Sequence, residues 1–179
     1  MPKVLIAIAD GIEELETAAV SDTLRRAGAE ITVAAVGRQL ITASRGLRIM
    51  ADCLIDDSDS DFDLIVLPGG MLGAENLRNS ARLRQLLVDQ QTAGRPIAAI
   101  CASPAVVLQR HGLLKGRRAT CFPAYLELLD QPVDAPVVID SGCVTSQGPG
   151  TAIEFALTLV ELLFGSAKRA EIAAQMLVA

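Results

Sequence analysis

Apolar runs alternate along the chain with segments whose apolar residues recur at helical spacing. The short runs are rich in Val, Ile, Leu and Ala, and they predict strands at 4–9, 30–36, 63–67, 96–100, 119–121 and 137–139. The helical segments predict helices at 13–27, 80–93, 102–111, 124–129, 151–164 and 166–177. This alternation is typical of an α/β protein whose mostly parallel sheet is covered by helices on both faces.

A smaller feature interrupts this alternation between residues 39 and 52. Two short extended runs flank Ser44, Arg45 and Gly46, and the arrangement predicts a small β-hairpin. No linker or internal repeat divides the 179 residues, so we expect one domain that covers residues 1–179.

Composition and charge remove several classes of function. The formal net charge of −5 argues against binding to nucleic acid or to an anionic membrane surface. No run reaches the roughly 20 apolar residues of a membrane span, and the first ten residues indicate a buried strand rather than a secretory signal. The four cysteines form no C-x-x-C pair, so we expect reduced thiols in the cytoplasm.

Metal and cofactor sites are poorly supported by the residue types present. The chain has one histidine and no metal-ligand spacing. The acidic segment 56–63 lacks the glycine and the distal glutamate of an EF-hand loop, which favours a solvated connection. The glycines at 69 and 70 match neither the dinucleotide nor the nucleoside triphosphate fingerprint, and we therefore expect no metal and no cofactor.

Three polar or glycine-rich turns follow predicted strands, at 10–16, 68–70 and 101–104. Open parallel sheets bind their ligands outside the carboxyl ends of the strands, so these turns are expected to gather at one edge. Gly69 and Gly70 permit a close backbone approach, and a backbone N–H in that turn is suited to stabilising an oxyanion.

Cys101 lies where an apolar run ends and a predicted helix begins. A tight turn at this point would push the sulfur out of the sheet, as in nucleophile elbows. The positive end of the following helix would lower the pKa of the thiol. The alternative is a small buried hydrophobic residue without reactivity, which is common for free cysteines.

The glutamates of the first predicted helix separate by their angle around its axis. Glu16 falls in line with the apolar stripe that contains Val20 and Leu24, whereas Glu14 points away and is expected to be solvated. An inward carboxyl group loses solvation, so its pKa should rise and it should tend to stay protonated. The alternative for Glu16 is an acid that only stabilises the start of the helix.

His111 decides whether a Cys–His pair is available, because it is the only histidine. It follows Cys101 by ten residues on one predicted helix, about 15 Å along the axis, whereas a general base needs contact at roughly 3 Å. A helix-capping role is favoured, and a hydrolytic Cys–His triad is disfavoured.

At 148–151, an anion site and a tight turn with Thr151 near the cap are both compatible with the sequence, and the turn is the more frequent use.

Four motifs together resemble the ThiJ/PfpI superfamily, specifically the branch of the Parkinsonism-associated deglycase and bacterial YajL. The resemblance covers nearly the whole chain. The motifs, in order, are DGIEELET at 10–17, LPGG at 67–70 with Gly73 and Ala74, AAICA at 98–102 with Pro104, and TSQGPGT at 145–151.

The resemblance implies a flavodoxin-like three-layer sandwich that forms a homodimer. It assigns the family's reactive cysteine to Cys101, its buried protonated glutamate to Glu16, and the backbone donors near the sulfur to Gly70 and Ala102. It further implies glutathione-independent conversion of methylglyoxal to lactate, or removal of such aldehydes from glycated protein, by a glyoxalase- or deglycase-type lyase or hydrolase.

One departure bears on this activity, because the branch can place a histidine near the cysteine where this chain has Phe122. Without that histidine, the resemblance implies that Glu16 and water transfer the proton, and slow turnover is expected.

A competing hypothesis is a redox sensor or stress chaperone in which Cys101 is oxidised to a sulfinate held by Glu16. A flavin-binding module is a third hypothesis, and it depends on fold analogy alone.

Overall fold

The computed structural model describes residues 1–178 and contains nine strands in two sheets. The strands are β1 (Lys3–Ile8), β2 (Glu30–Ala35), β3 (Leu40–Thr42), β4 (Arg48–Met50), β5 (Cys53–Leu54), β6 (Leu64–Leu67), β7 (Ile97–Ile100), β8 (Val137–Asp140) and β9 (Cys143–Ser146). The α-helices are α1 (Glu14–Ala27), α2 (Met71–Arg78), α3 (Ala81–Thr92), α4 (Ala152–Phe164) and α5 (Ser166–Gln175). A π-helix covers Pro104–Gln109, and short 3₁₀ turns cover Ile55–Asp57, Pro123–Leu128 and Pro149–Thr151.

The main sheet has seven strands in the order β5-β2-β1-β6-β7-β9-β8. All neighbouring strands are parallel except β8 and β9, which pair antiparallel at one edge. Every residue of β6 and β7 is buried, as expected for central strands covered on both faces. The sheet therefore has the mostly parallel α/β architecture that the alternating pattern predicts.

Helices cover both faces of this sheet and form the outer layers of the sandwich. On one side α1, α4 and α5 pack against one another, and on the other α2 packs against α3 and the π-helix. Helix α1 ends at Gly28, whose φ of 96° and ψ of 18° form a left-handed cap. Its buried stripe includes Val20, Leu24 and Ala27, which the helical periodicity predicts.

The predicted hairpin is present and forms a separate two-stranded sheet from β3 and β4. Two backbone hydrogen bonds connect it to the end of β1: the N–H of Gly11 donates to the Thr42 carbonyl, and the N–H of Ser44 donates to the Ile12 carbonyl, both at 2.8 Å. The hairpin is thereby held beside the carboxyl ends of the main strands.

The prediction of a strand at 119–121 is wrong, and the sequence pattern does not predict strand β9. Residues 119–121 contribute only an isolated bridge between Ala119 and Pro132. The N–H of Thr120 instead donates to the Thr145 side-chain hydroxyl at 2.9 Å, within β9. Thr145 and Ser146 are polar but buried, and such hydrogen bonds allow this polar sequence to occupy an inner strand.

Two helical segments also differ from their predictions. Helix α2 is not predicted and directly follows the turn predicted at 68–70. It contains Gly73 because α2 passes close to the end of β1: a side chain there would lie 2.5 Å from the Ile12 Cα atom. The helix predicted at 102–111 is a shorter π-helix, and the one predicted at 124–129 is a 3₁₀ turn. Within residues 1–178, no helix is long and apolar enough to cross a membrane.

The buried hydrogen bond between Thr120 and Thr145 leads to a stability prediction. Thr145→Val keeps the side-chain shape but leaves the buried N–H of Thr120 without its acceptor, so the free energy of unfolding should fall by about 1–3 kcal/mol. Thr158→Val is the matched control, because that hydroxyl only donates to the Glu154 carbonyl at 2.8 Å within α4. Urea denaturation of both variants provides the measurement, and equal losses would contradict the role assigned to Thr145.

Candidate active site

The three turns predicted to gather at one edge of the sheet do meet there. They follow β1, β6 and β7, and the N–H of Glu13 in the first turn donates to the Gly69 carbonyl in the second at 2.9 Å. A side chain at Gly69 would lie 2.4 Å from the Cys101 Cβ atom, in the third turn. Only glycine permits this approach between the second and third turns.

Cys101 occupies a strained elbow directly after β7. Its φ is +64°, a left-handed conformation that costs a non-glycine residue about 1–3 kcal/mol. Two hydrogen bonds hold it: its N–H donates to the Ser146 carbonyl at 3.0 Å, and its carbonyl accepts from the Phe122 N–H at 2.8 Å. The π-helix begins three residues later, and such helices are frequent at functional sites.

Glu16 lies inward on the first turn of α1, as its helical angle predicts, and it is fully buried. Its Oε2 atom accepts a hydrogen bond from the Gly69 N–H at 2.7 Å. Its Oε1 atom is buried and has no hydrogen-bond partner among residues 1–178. Glu14 lies off the buried stripe of α1, as its helical angle predicts, but it is half-buried rather than fully solvated, and its carboxylate accepts from the Arg45 N–H at 2.9 Å.

Burial raises the pKa of Glu16 to about 7, against the hydrogen bond from Gly69, which lowers it. Burial also raises the pKa of Cys101 to about 12, and the negative charge of Glu16 is the next cause. The sequence predicts a lowered thiol pKa, so the direction is opposite, because loss of solvation outweighs the positive end of the short π-helix.

The two pKa values belong to one coupled pair, since a charge on either group disfavours a charge on the other. Near neutral pH the pair carries at most one negative charge, on the carboxylate or on the sulfur. A proton on Glu16 removes the repulsion that opposes a thiolate at Cys101. Hydrogen bonds from the backbone N–H groups of Gly70 and Ala102 also lower the pKa of the thiol.

A pocket of about 320 Å³ opens in front of the Cys101 sulfur. Glu16 is absent from its walls and lies behind the sulfur, so Glu13 is the glutamate that faces the cavity. The rings of Phe122 and Tyr125 form one side, with centroids 5.9 Å apart. The lining residues are Glu13, Ser44, Arg45, Gly70, Met71, Cys101, Ala102, Phe122, Tyr125 and Pro149.

Sequence reasoning misses the contributions of Ser44, Arg45 and Tyr125 to this pocket. Ser44 and Arg45 come from the hairpin turn, and the Ser44 hydroxyl lies 3.0 Å from carboxylate oxygens of both Glu13 and Glu14. The hairpin is visible in the sequence, but nothing there indicates that it folds over the end of β7. Tyr125 belongs to the segment predicted as a helix at 124–129, and the sequence does not indicate that this segment reaches the pocket.

His111 lies outside the pocket, so the structure forms no Cys101–His111 pair. Its Nε2 atom lies 3.1 Å from the Arg78 carbonyl at the end of α2, rather than capping its own helix. The 148–151 segment forms a turn, in which the Gly148 N–H donates to the Thr151 hydroxyl at 3.1 Å. Within the described part of the chain, no three His, Cys, Asp or Glu side chains cluster as metal ligands.

The other three cysteines do not line the pocket, and all four are free thiols. Burial raises the pKa of Cys121 to about 11 and that of Cys143 to about 12. Cys53 is half-buried, and its pKa is raised first by burial and then by the charge of Asp52. Cys101 alone among them faces a cavity with backbone N–H donors beside its sulfur.

Comparison with known proteins gives a consistent result along the chain. A model of the DJ-1/PfpI family matches residues 2–162. Protein DJ-1 homolog B of Arabidopsis thaliana is 46% identical over 181 residues, which cover 99% of this chain. Glutathione-independent glyoxalase DJR-1.2 of Caenorhabditis elegans is 36% identical over 161 residues, which cover 87% of this chain and 85% of that protein.

Among solved structures, oxidized DJ-1 of Toxoplasma gondii is similar with a TM-score of 0.96 and 45% identity, and each chain is covered completely. The Arabidopsis relatives are longer: this chain spans 41% of DJ-1 homolog B and 46% of homolog A. The likeness to both relatives covers 97% or more of this chain, which includes all three turns of the site.

The raised pKa of Glu16 makes a prediction about stability and pH. Because the folded pKa of about 7 exceeds the ordinary value of 4.5, Glu16 stabilises the fold fully below pH 4.5 and loses that contribution as pH rises through 7. Relative to Glu16→Gln, the wild-type free energy of unfolding should fall by roughly 3 kcal/mol between those limits.

Chemical denaturation at a series of pH values measures this difference. Cys101→Ser serves as the control, because it keeps the Glu16 carboxyl group buried and burial is the largest cause of the raised pKa. The free energy of unfolding of this variant should therefore still fall as pH rises. If the free energy of unfolding depends on pH in the same way in wild type and in Glu16→Gln, the raised pKa of Glu16 is contradicted.

Proposed function

Because this chain belongs to the DJ-1/PfpI family, we propose that it acts in carbonyl stress as a cysteine-dependent glyoxalase that needs no glutathione. Its substrates are small α-oxoaldehydes such as methylglyoxal. The observation that carries the proposal is the pairing of Cys101 with the buried Glu16 carboxyl group, joined through Gly69 at the base of a pocket of about 320 Å³. The similarity to a C. elegans glutathione-independent glyoxalase supports the same substrate class.

The first step is addition of the Cys101 sulfur to the aldehyde carbon of the substrate. A carbon–sulfur bond forms, the carbonyl π bond breaks, and the new oxyanion takes the proton that Glu16 holds. The backbone N–H groups of Gly70 and Ala102, beside the sulfur, stabilise the oxyanion before it is protonated. The product of this step is a hemithioacetal.

The next steps move a proton and release the product. The hydrogen on the sulfur-bearing carbon leaves as a proton to the Glu16 carboxylate and returns to the neighbouring carbon. The hydroxyl proton on the sulfur-bearing carbon passes to the neighbouring carbonyl oxygen, and the two transfers convert the hemithioacetal to a thioester of lactate. Water then attacks the thioester, releases lactate and restores the thiol. The sum is methylglyoxal plus water giving lactate, without an external oxidant or reductant.

The position of Glu16 behind the sulfur makes the identity of the proton carrier testable. Cys101→Ser should abolish turnover, and Glu16→Gln should lower it by roughly 100-fold or more, the usual contribution of general acid–base catalysis. Glu13→Gln is the matched control, since Glu13 faces the pocket but makes no bond to the Gly69 N–H. Loss of methylglyoxal and formation of lactate, in glutathione-free buffer, provide the measurement.

Equal rates in wild type, Cys101→Ser and Glu16→Gln would contradict the proposal. A loss in Glu13→Gln but not in Glu16→Gln would transfer the proton-carrying role to Glu13. We extend the proposal to aldehydes carried on glycated protein. The test measures how fast methylglyoxal is lost from a preformed lysine adduct. If this rate depends only on the concentration of free methylglyoxal, the protein consumes the free aldehyde and the extension fails.

A second candidate function is redox sensing or a stress-chaperone role through oxidation of Cys101. Two equivalents of peroxide would convert the thiolate to a sulfenate and then to a sulfinate, with release of one water at each step. The orphaned, buried Glu16 Oε1 atom favours this candidate, because its proton is available to a sulfinate oxygen. The similar Toxoplasma protein was solved in an oxidized form.

Peroxide titration followed by peptide mass analysis tests this candidate. We expect Cys101 to gain two oxygen atoms before Cys53, Cys121 or Cys143 reacts, and Glu16→Gln to alter the final oxidation state. Cys143→Ser provides a control for general loss of stability, because Cys143 is buried away from the pocket. Oxidation of another cysteine first, or an unchanged product in Glu16→Gln, would contradict the candidate.

The proposal includes a second copy of this chain as partner and the cytoplasm as location. Leu15, which is 52% exposed, lies with Ala18, Ala19 and Ile153 along a surface groove on α1 and α4, and this apolar face is suited to contact with a second copy. Four free cysteines are compatible with a reducing compartment.

A further inference from the structure

The two backbone donors that face the Cys101 sulfur belong to different turns. Gly70 lies in the turn after β6, and Ala102 lies in the turn after β7. Hydrogen bonds from both N–H groups lower the pKa of the thiol. Because hydrogen bonds weaken steeply with distance and angle, the two turns must keep a fixed relative position for both donors to act.

Ser103 directly joins these two turns. Its side chain is fully buried, and its hydroxyl donates to the Pro68 carbonyl at 2.5 Å, two residues before Gly70. Gly69 bonds with Glu16 and with the Glu13 N–H at the start of α1, and the Gly70 carbonyl accepts from the Ala74 N–H in α2. The Ser103 hydroxyl is thus a direct link from the Pro68 turn to the turn of the cysteine, and it does not involve the sulfur.

The partner of this hydroxyl is not the one that its place in the sequence predicts. Serine directly before a helix commonly accepts a hydrogen bond from an N–H of the first turn. Within the described part of the chain, the Ser103 side chain makes no such cap on the π-helix and points to Pro68 instead. Local helix stability therefore does not explain this serine.

We propose that Ser103 is a positioning residue, whose hydroxyl holds the Pro68 carbonyl so that the N–H groups of Gly70 and Ala102 converge on the Cys101 sulfur. It does not contact the substrate and acts only through the two donors. Without the hydroxyl, the Gly70 N–H loses alignment, the thiolate loses stabilisation, and Cys101 reacts more slowly at neutral pH. The role bears on the site of the proposed function, but it concerns the reactivity of the thiol before any substrate is converted.

Alkylation of Cys101 by iodoacetamide across a pH series tests the proposal independently of turnover. Ser103→Ala should slow alkylation at pH 7 by roughly 3- to 10-fold and raise the apparent pKa by about half a unit to one unit, the scale of one net hydrogen bond. Ser103→Thr keeps a hydroxyl donor and should give a profile close to that of wild type, which tests the role of the hydroxyl even if Ser103→Ala does not fold.

Ser58→Ala is the matched control. Its hydroxyl is also buried and donates to a backbone carbonyl, that of Ile55 at 2.9 Å, but it follows the edge strand β5 rather than β6 or β7. The pH profile of Cys101 alkylation in Ser58→Ala should equal that of wild type. An unchanged profile in Ser103→Ala, or the same shift in Ser58→Ala, would overturn the proposal. A wild type that never converts methylglyoxal, together with a shifted profile in Ser103→Ala, would refute the proposed glyoxalase activity and support the role of Ser103.

Discussion

The hydrogen bond from the Gly69 N–H to the Glu16 carboxyl group is the interaction on which the site depends. It is 2.7 Å long and fully buried, and it connects the first turn of α1 to the turn after β6. That turn passes so close to Cys101 that no side chain fits at Gly69. One bond thus sets the distance between the carboxyl group, the backbone donor of Gly70 and the sulfur. Its burial also keeps water from competing for the Glu16 carboxyl group.

The same burial gives the site its proton chemistry. In water a glutamate and a cysteine titrate independently, about four pH units apart. Here loss of solvation raises both pKa values, and the charge of one group opposes ionisation of the other. Near neutral pH the pair therefore carries at most one negative charge. In the proposed reaction, Glu16 would supply a proton close to the adding sulfur without a histidine.

The sequence predicts the architecture and the centre of the site, but not its walls. Periodicity places Glu16 on the inner face of α1, and the end of an apolar run places Cys101 at an elbow, because both depend on local geometry. Tyr125 and Arg45 enter the pocket through tertiary folding of a 3₁₀ turn and a hairpin, which no local pattern encodes. Strand β9 escapes prediction for the same reason: its polar Thr145 is satisfied by a residue 25 positions away. The pKa of Cys101 is mispredicted in direction because the helix-end effect is visible in sequence, whereas the depth of burial is not.

The attachment of the hairpin has a further consequence. Strands β3 and β4 form their own sheet, and an isolated two-stranded sheet is marginally stable. It is held at the end of β1 by the backbone bonds from Gly11 and Ser44, by the Asp10 carboxylate, which accepts from the Thr42 N–H at 2.7 Å, and by the fully buried Ile41 side chain. The hairpin therefore depends on the seven-stranded sheet for its stability. Because Ser44 and Arg45 line the pocket, the shape of its entrance is set partly by the packing beneath the hairpin and not by the lining residues alone.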